Sequence, residues 1–472
     1  MASSRDLDSP VKGPRTLPQM EMLSQDQHED HILHRSLNFR PSQVEFAEGV
    51  NLHLSDGRVI IDACGGAAVA TVGHGQMEVC DAIVAQSRKV SYVHTQAFTT
   101  SAAEDLADFI LAQNPFGLEK AFFVSSGSEA VESAMKLARQ YHFERHDSQR
   151  LHFVSRKQSY HGNTLGAMSV SYNLSRKIPY EGFSYAHVSH VEPPFAYRYK
   201  LEHETEEQFT RRLLQDLDTE FQTVGPDRIA AFIAEPVIGA TAGCVTAPEG
   251  YFKGVRQLCD KYGILLILDE IMCGTGRTGT FFAFEQENVI PDIVTAAKGL
   301  GGGYAAIAGI YIHRKVVDAL RQGSGAFAHG HTYQAHPLAC AAALAVQKII
   351  RRDSLVSQCM EKGRILERFL KAELSECKSV GDIRGRGLFW AVEFVTNRRT
   401  KQPLPVAVKF GYGVQQEAFK RGVAVYPGSG TIDGINGDHI LLAPPFTISA
   451  EQLRLTCRVI KEAIEAQEQN EC

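Results

Sequence analysis

Ile264-Leu265-Leu266-Ile267-Leu268-Asp269-Glu270 decides the fold: five apolar residues run unbroken into two acids. A strand with one wet face alternates apolar and polar residues, so an unbroken run indicates a strand covered on both sides. Working outward, similar runs recur at Ala121 to Val124, Leu151 to Val154, Ile229 to Ala234 and Ile293 to Ala297, with helical stretches between them. That alternation predicts a mostly parallel sheet with helices on both faces. In such a sheet ligands lie in the crevice at the carboxyl ends of the strands. After Val124 comes Ser125-Ser126-Gly127-Ser128, and after the second run comes Tyr160-His161-Gly162. Glu235 follows Ala234, Asp269-Glu270 follows Leu268, and Lys298 follows Ala297. One crevice would collect them all.

Further out, residues 1–30 read as an N-terminal arm and 31–85 as an N-terminal segment contributing to a small domain. Gly49, the Asp56-Gly57 turn and Val59-Ile60-Ile61 there suggest an antiparallel meander. Residues 86–335 form the large domain and 336–472 the C-terminal small domain. The latter holds an alanine-rich helix, Leu338 to Ile350, an alternating strand, Leu388 to Val395, and a charged terminal helix, Ala450 to Gln467. No repeat of 20 to 50 residues is visible.

The 472 residues are 44 % hydrophobic and 22 % charged, with a net charge of −5, which points away from a nucleic-acid partner. The longest nearly uncharged apolar stretch, about Tyr304 to Ile312, falls short of the ~20 residues of a spanning helix, so no membrane partner is expected. Ten cysteines without a C-x-x-C pair read as reduced thiols. Met1 to Met20 has no apolar secretory core, and Asp6 and Asp8 argue against a transit peptide, so the expected location is cytoplasmic, with a mitochondrial one left open. His28, His31 and His34 share a helical spacing but no carboxylate or cysteine set completes a site, so no metal is expected.

Each candidate residue has a plain reading beside the chemical one. Ser126-Gly127-Ser128-Glu129 is a capping box, and the same helix start is an anion site, because free N–H groups and the helix dipole favour phosphate. Asp269, at the end of a buried run, needs a cation or donor; Arg277 could supply it, or a ligand could. Lys298 precedes Gly299-Leu300-Gly301-Gly302-Gly303 and is either a snorkelling surface residue or a desolvated amine suited to Schiff-base chemistry. The glycine run lacks the order of a dinucleotide-binding loop.

Taken together, these residues resemble the class III (omega-amino-acid) aminotransferases, from the meander near Asp62 to Pro444-Pro445. The motifs are Ser126-Gly127-Ser128-Glu129-Ala130 with Lys136-Leu137-Ala138-Arg139, Tyr160-His161-Gly162, Glu235-Pro236, Asp269-Glu270-Ile271 with Gly276-Arg277-Thr278-Gly279, Pro291-Asp292, Lys298-Gly299 and His331-Thr332-Tyr333. The resemblance implies an α/β fold, the type I pyridoxal-phosphate-dependent transferase fold (aspartate-aminotransferase-like), with a large, mostly parallel sheet domain and a smaller α+β domain. It implies pyridoxal 5'-phosphate as cofactor, Lys298 as its Schiff-base lysine, Asp269 on the pyridinium nitrogen, and Tyr160 and Ile271 on either side of the ring. Ser126, Gly127 and Ser128 would hold the phosphate, with Thr332 joining from the neighbouring subunit of a homodimer. Glu235 would bind near the ring or pair with a substrate-binding arginine.

The implied activity is a transaminase moving an amino group from an amine or amino acid to a 2-oxo acid. The alternatives are an aminomutase, an epimerase, a decarboxylating transaminase, a phospho-lyase, or a non-catalytic binding relative. Many family members carry Arg-Pro where this chain has Tyr426-Pro427, and Gly303-Tyr304-Ala305-Ala306 lacks a common proline. A missing arginine fork favours an ω-amino acid or simple amine as donor, with a small oxo acid such as pyruvate as acceptor. Arg40 is the cation this reading offers for a substrate carboxylate.

Overall fold

A computed structural model describes residues 31–112 and 114–470. The expected arm, with His28, lies outside them. The apolar runs form a seven-stranded sheet. Its strands are β1 (Leu118–Val124), β2 (His152–Arg156), β3 (Val188–Val191), β4 (Ile229–Ala234), β5 (Leu265–Asp269), β6 (Ile293–Ala296) and β7 (Ala308–His313). Their order across the sheet is β1-β7-β6-β5-β4-β2-β3, and β7 alone runs against its neighbours. Neither β3 nor β7 is among the expected runs. Val188-Ser189-His190-Val191 is too short and polar to stand out, and β7, but for His313, lies inside the stretch too short to span a membrane.

Burial on both faces accounts for β5. Leu266 and Leu268 pack with Phe232, Phe252 and Val294, while Leu265 and Ile267 pack with Ala231, Ile293 and Val131 of the Gly127–Glu144 helix. Fully burying each such side chain contributes about 1.5–3 kcal/mol. Register then sets the chemistry: Asp269 at the end of β5 pairs with Thr295 of β6, and Lys298 lies just beyond.

A second core joins chain ends. Val50, Ala63 and Val72 pack with Leu366, Trp390, Val392, Phe410, Ile440 and Ile460. The antiparallel strands Val44–Glu48, Asn51–Leu54 and Val59–Asp62, turning at Asp56-Gly57, take Val423–Ala424 as a parallel fourth strand. Beside them Val380–Arg386, Phe389–Phe394, Asp438–Leu442 and Tyr426–Ser429 form an antiparallel sheet.

Arg277, the possible partner of Asp269, is instead a clamp between segments. Its guanidinium donates to the carbonyls of Leu388 (3.1 Å), Pro444 (2.5 Å) and Ala70 (3.2 Å) and stacks on Phe446, 4.6 Å from the ring centre. Burial lowers its pKa to about 10. Arg277→Met leaves three carbonyls unpaired, and the expected destabilisation is about 3 kcal/mol, read as a lower denaturant midpoint. An unchanged midpoint would remove Arg277 from this role.

Candidate active site

The capping box and the anion-ready helix start prove to be one structure. Ser126 Oγ accepts from Glu129 N at 3.3 Å, and Glu129 Oε2 accepts from Ser125 N (2.8 Å) and Ser126 N (3.1 Å). The box consumes the Glu129 amide, so Gly127 N–H and Ser128 N–H, the first two of the helix, have no intrahelical acceptor. Ser128 Oγ donates to Asn163 Oδ1 at 2.9 Å and accepts from Asn163 N at 3.0 Å. Gly162 makes that approach possible, since a Cβ there would lie 2.5 Å from Ser128 Oγ. Ile271 roofs the same corner: a Cβ on Gly127 would meet its Cδ1 at 2.9 Å.

Asp269 is buried and held from three sides. Oδ1 accepts from Thr295 Oγ1 and from the Ile271 amide, each at 3.0 Å, and Oδ2 lies 2.7 Å from Nδ1 of the buried His161. With Asp269 ionised, His161 carries its proton on Nδ1, and its buried Nε2 has no partner among the described residues. An orphaned Nε2 and an anion fixed by three donors are unusual in a closed core, and they suit a site that a ligand completes. Glu235 is buried beside them; burial raises its pKa to about 7, opposed by His161 and reinforced by Asp269. Its Oε2 is also without a partner, while its main-chain carbonyl accepts from Arg156.

Lys298 closes the crevice with φ +44°, a left-handed conformation that a non-glycine residue adopts at a cost of about 1–3 kcal/mol. Gln347 pins the following loop by donating to the carbonyls of Gly299 (3.2 Å) and Leu300 (2.8 Å). Burial lowers the Lys298 pKa below the ordinary lysine range, and Asp269 and Glu235 draw it back up. Such an amine can add to a carbonyl, the helix start can bind an anion, and Asp269 can bind a cation.

A family model for class III aminotransferases matches residues 34–464. The chain belongs to the class III aminotransferases. These enzymes use pyridoxal 5'-phosphate, so this class III aminotransferase carries out pyridoxal-phosphate-dependent transamination on the type I fold. It is 49 % identical over 424 residues to an uncharacterized aminotransferase of Schizosaccharomyces pombe, covering 90 % of this chain and 92 % of the relative. It is 34 % identical over 437 residues to the vanillin aminotransferase of Capsicum annuum, covering 90 % and 92 %. Its structure is similar to that of an omega transaminase from Pseudomonas jessenii in complex with PMP, with a TM-score of 0.87, 29 % identity, and 94 % and 97 % of the chains covered.

The other expected residues are placed more loosely. Tyr160 is half-buried at the crevice with Arg176 stacked on its ring, 5.1 Å from the centre. Thr332 lies in an exposed turn. Arg40 lies in the exposed segment before Val44–Glu48. Tyr426 is half-buried against the cluster of Val237, Cys273, Phe389 and Leu441. Three residues without an assigned role in the sequence prove central: His161 and Thr295 on Asp269, and Asn163 on Ser128. His161 sits inside a quoted motif, so adjacency to Tyr160 is the signal that could have found it.

Proposed function

We propose that this enzyme transfers an amino group from an amine or ω-amino acid to a small 2-oxo acid, with Lys298 as the covalent and proton-moving residue. The observation that carries this reading is the convergence of a desolvated Lys298 and a donor-fixed Asp269 on one crevice beside an anion-ready helix start. When bound, pyridoxal 5'-phosphate supplies an aldehyde that condenses with amines and a protonated ring that accepts an electron pair. Ser126, Gly127 and Ser128 would hold the phosphate through hydroxyl and amide donors. Asp269 would pair with the ring nitrogen, and His161 and Thr295 aim its carboxylate. Tyr160 and Ile271 would cover the two faces of the ring. Lys298 would be the amine that holds the cofactor's aldehyde and the base that moves a proton at the substrate carbon. Glu235 supplies a second, weaker carboxyl near the ring. A screen of amine donors against pyruvate and 2-oxoglutarate tests the reading, and an absence of any amino transfer would refute it.

The same reading includes a homodimer. A groove of about 850 Å³ runs along the Gly127–Glu144 helix, lined by Met135, Phe143, Leu165, Phe183, Tyr185 and Phe327. Phe143 and Phe183 are 60 % and 61 % exposed, and apolar surface on this scale favours a covering partner. Its rim at Ser324 to Ala328 leads directly into the Thr332 turn, so a second copy seated there approaches Thr332. Phe183→Asp is expected to shift the particle mass in light scattering towards the monomer. Thr332→Ala is expected to keep the dimer but release cofactor about 10-fold faster, the effect of losing one charge-assisted bond. Equal cofactor retention by a demonstrated monomer would sink this arrangement. The free thiols of Cys64, Cys244 and Cys273 support a reducing, cytoplasm-like compartment.

A further inference from the structure

Position 426 offers a phenol where a fork for a carboxylate is missing, but another guanidinium stands on Tyr160. Arg176 lies on the short helix Leu174–Lys177, is exposed, and stacks on the Tyr160 ring with its Cζ 5.1 Å from the centre. The next residue in the chain after Tyr160 is His161, whose ring reaches Asp269 at 2.7 Å, so the ring under Arg176 and the partner of Asp269 are chain neighbours. The segment that carries it is tied down. His161 N donates to Ser171 Oγ (2.7 Å), Tyr172 N donates to Ser159 O (2.9 Å), and Lys177 Nζ donates to the carbonyls of Ser169 (3.1 Å) and Ser171 (2.8 Å). Lys177 is thus consumed internally while Arg176 faces outward.

The opposite wall comes from the C-terminal sheet. Gly434, in the loop after Tyr426–Ser429, packs on Leu174, where a Cβ would sit 3.4 Å away. Tyr426 begins the strand that leads into that loop. Among the described residues no carboxylate pairs with Arg176, although most arginines near this crevice are engaged: Arg277 with carbonyls, Arg198 and Arg384 with Glu393. Stacking on an aromatic face holds a guanidinium in place and leaves its N–H edge free for a planar, bidentate anion.

We propose that Arg176, positioned on Tyr160, is the subsite for a substrate carboxylate, which makes the donor an ω-amino acid whose acid group lies distal to the reacting amine. The assignment rests on the transaminase reading above. The acid group docks at the mouth, and the amine extends past Tyr160 towards Lys298. It differs from a site at Arg40, which belongs to the exposed segment before Val44.

The test uses single half-reactions of the holoenzyme with 3-aminopropanoate, 4-aminobutanoate and 6-aminohexanoate, each beside the alkylamine of the same length. In Arg176→Gln the rate ratio of acid to alkylamine should fall about 10- to 100-fold, the range of a lost charge-assisted contact, and Arg176→Lys should restore only part of it. Calorimetric titration with hexanoate, which has the carboxylate and no amine, should show a Kd weakened about 10-fold in Arg176→Gln. An unchanged ratio with unchanged hexanoate affinity would overturn the assignment. If the wild type turned over none of the six amines, the transaminase reading would fail for these donors, and hexanoate would still decide the role of Arg176.

Discussion

The Lys298→Ala protein is expected to fold, take up pyridoxal 5'-phosphate and process amine donors at least about 10⁴-fold more slowly than wild type. The size of the loss reflects two functions removed together. In the proposed reading the amine is the covalent partner of the cofactor and also the base that moves the proton; general acid–base catalysis alone contributes about 10²- to 10⁴-fold. The fold should tolerate the change. Alanine meets the left-handed φ of +44° no worse than lysine does, and Gln347 holds the loop through main-chain carbonyls that the substitution leaves in place. Stopped-flow absorbance and a thermal melt check the two halves. A variant that keeps a few per cent of wild-type turnover would place the proton transfer on another group.

Asp269→Asn should slow the half-reaction by about 10²- to 10³-fold with cofactor still bound, because the shape survives and the charge does not. In the wild type the Thr295 hydroxyl, the Ile271 amide and His161 all donate to this one carboxylate. That arrangement aims the carboxylate, and in the proposed reading a fixed carboxylate in a dry crevice would keep the ring nitrogen protonated. An asparagine can accept some of these bonds, but its amide group then faces one of the three donors, so the variant loses both charge and alignment. The helix start retains its phosphate donors, so affinity should fall far less than rate. Near-normal turnover in Asp269→Asn would move the electron-sink role elsewhere.

The legible parts of this molecule are those in which one strand carries its own environment. β5 announces itself because both its faces are buried, and the residue that follows a buried run is at the crevice by geometry alone. β7 is harder, yet a signal existed. Only the eleven residues from Ala297 to Ile307, with no helix beyond the Lys298–Leu300 turn, connect β6 to β7, and a parallel return needs a crossover of a dozen or more. A short helix-poor connection therefore favoured an antiparallel strand. The partners of Asp269 were illegible for a different reason: His161 reaches it across 108 positions and Thr295 across 26, and nothing local marks either contact. Arg277 shows the converse. Its motif marks it as important, but only the packing of Ala70, Leu388 and Pro444 around it shows that it clamps segments and does not serve Asp269.

The central claim, that Lys298 carries the cofactor, is tested most directly by reducing the holoenzyme with borohydride and mapping its tryptic peptides. A modified lysine blocks cleavage, so one labelled peptide spanning Thr278 to Arg314 is expected, with the pyridoxyl group on Lys298 and the visible absorbance bleached. A label on any other lysine, or a fully active enzyme that stays colourless and unlabelled, would contradict it.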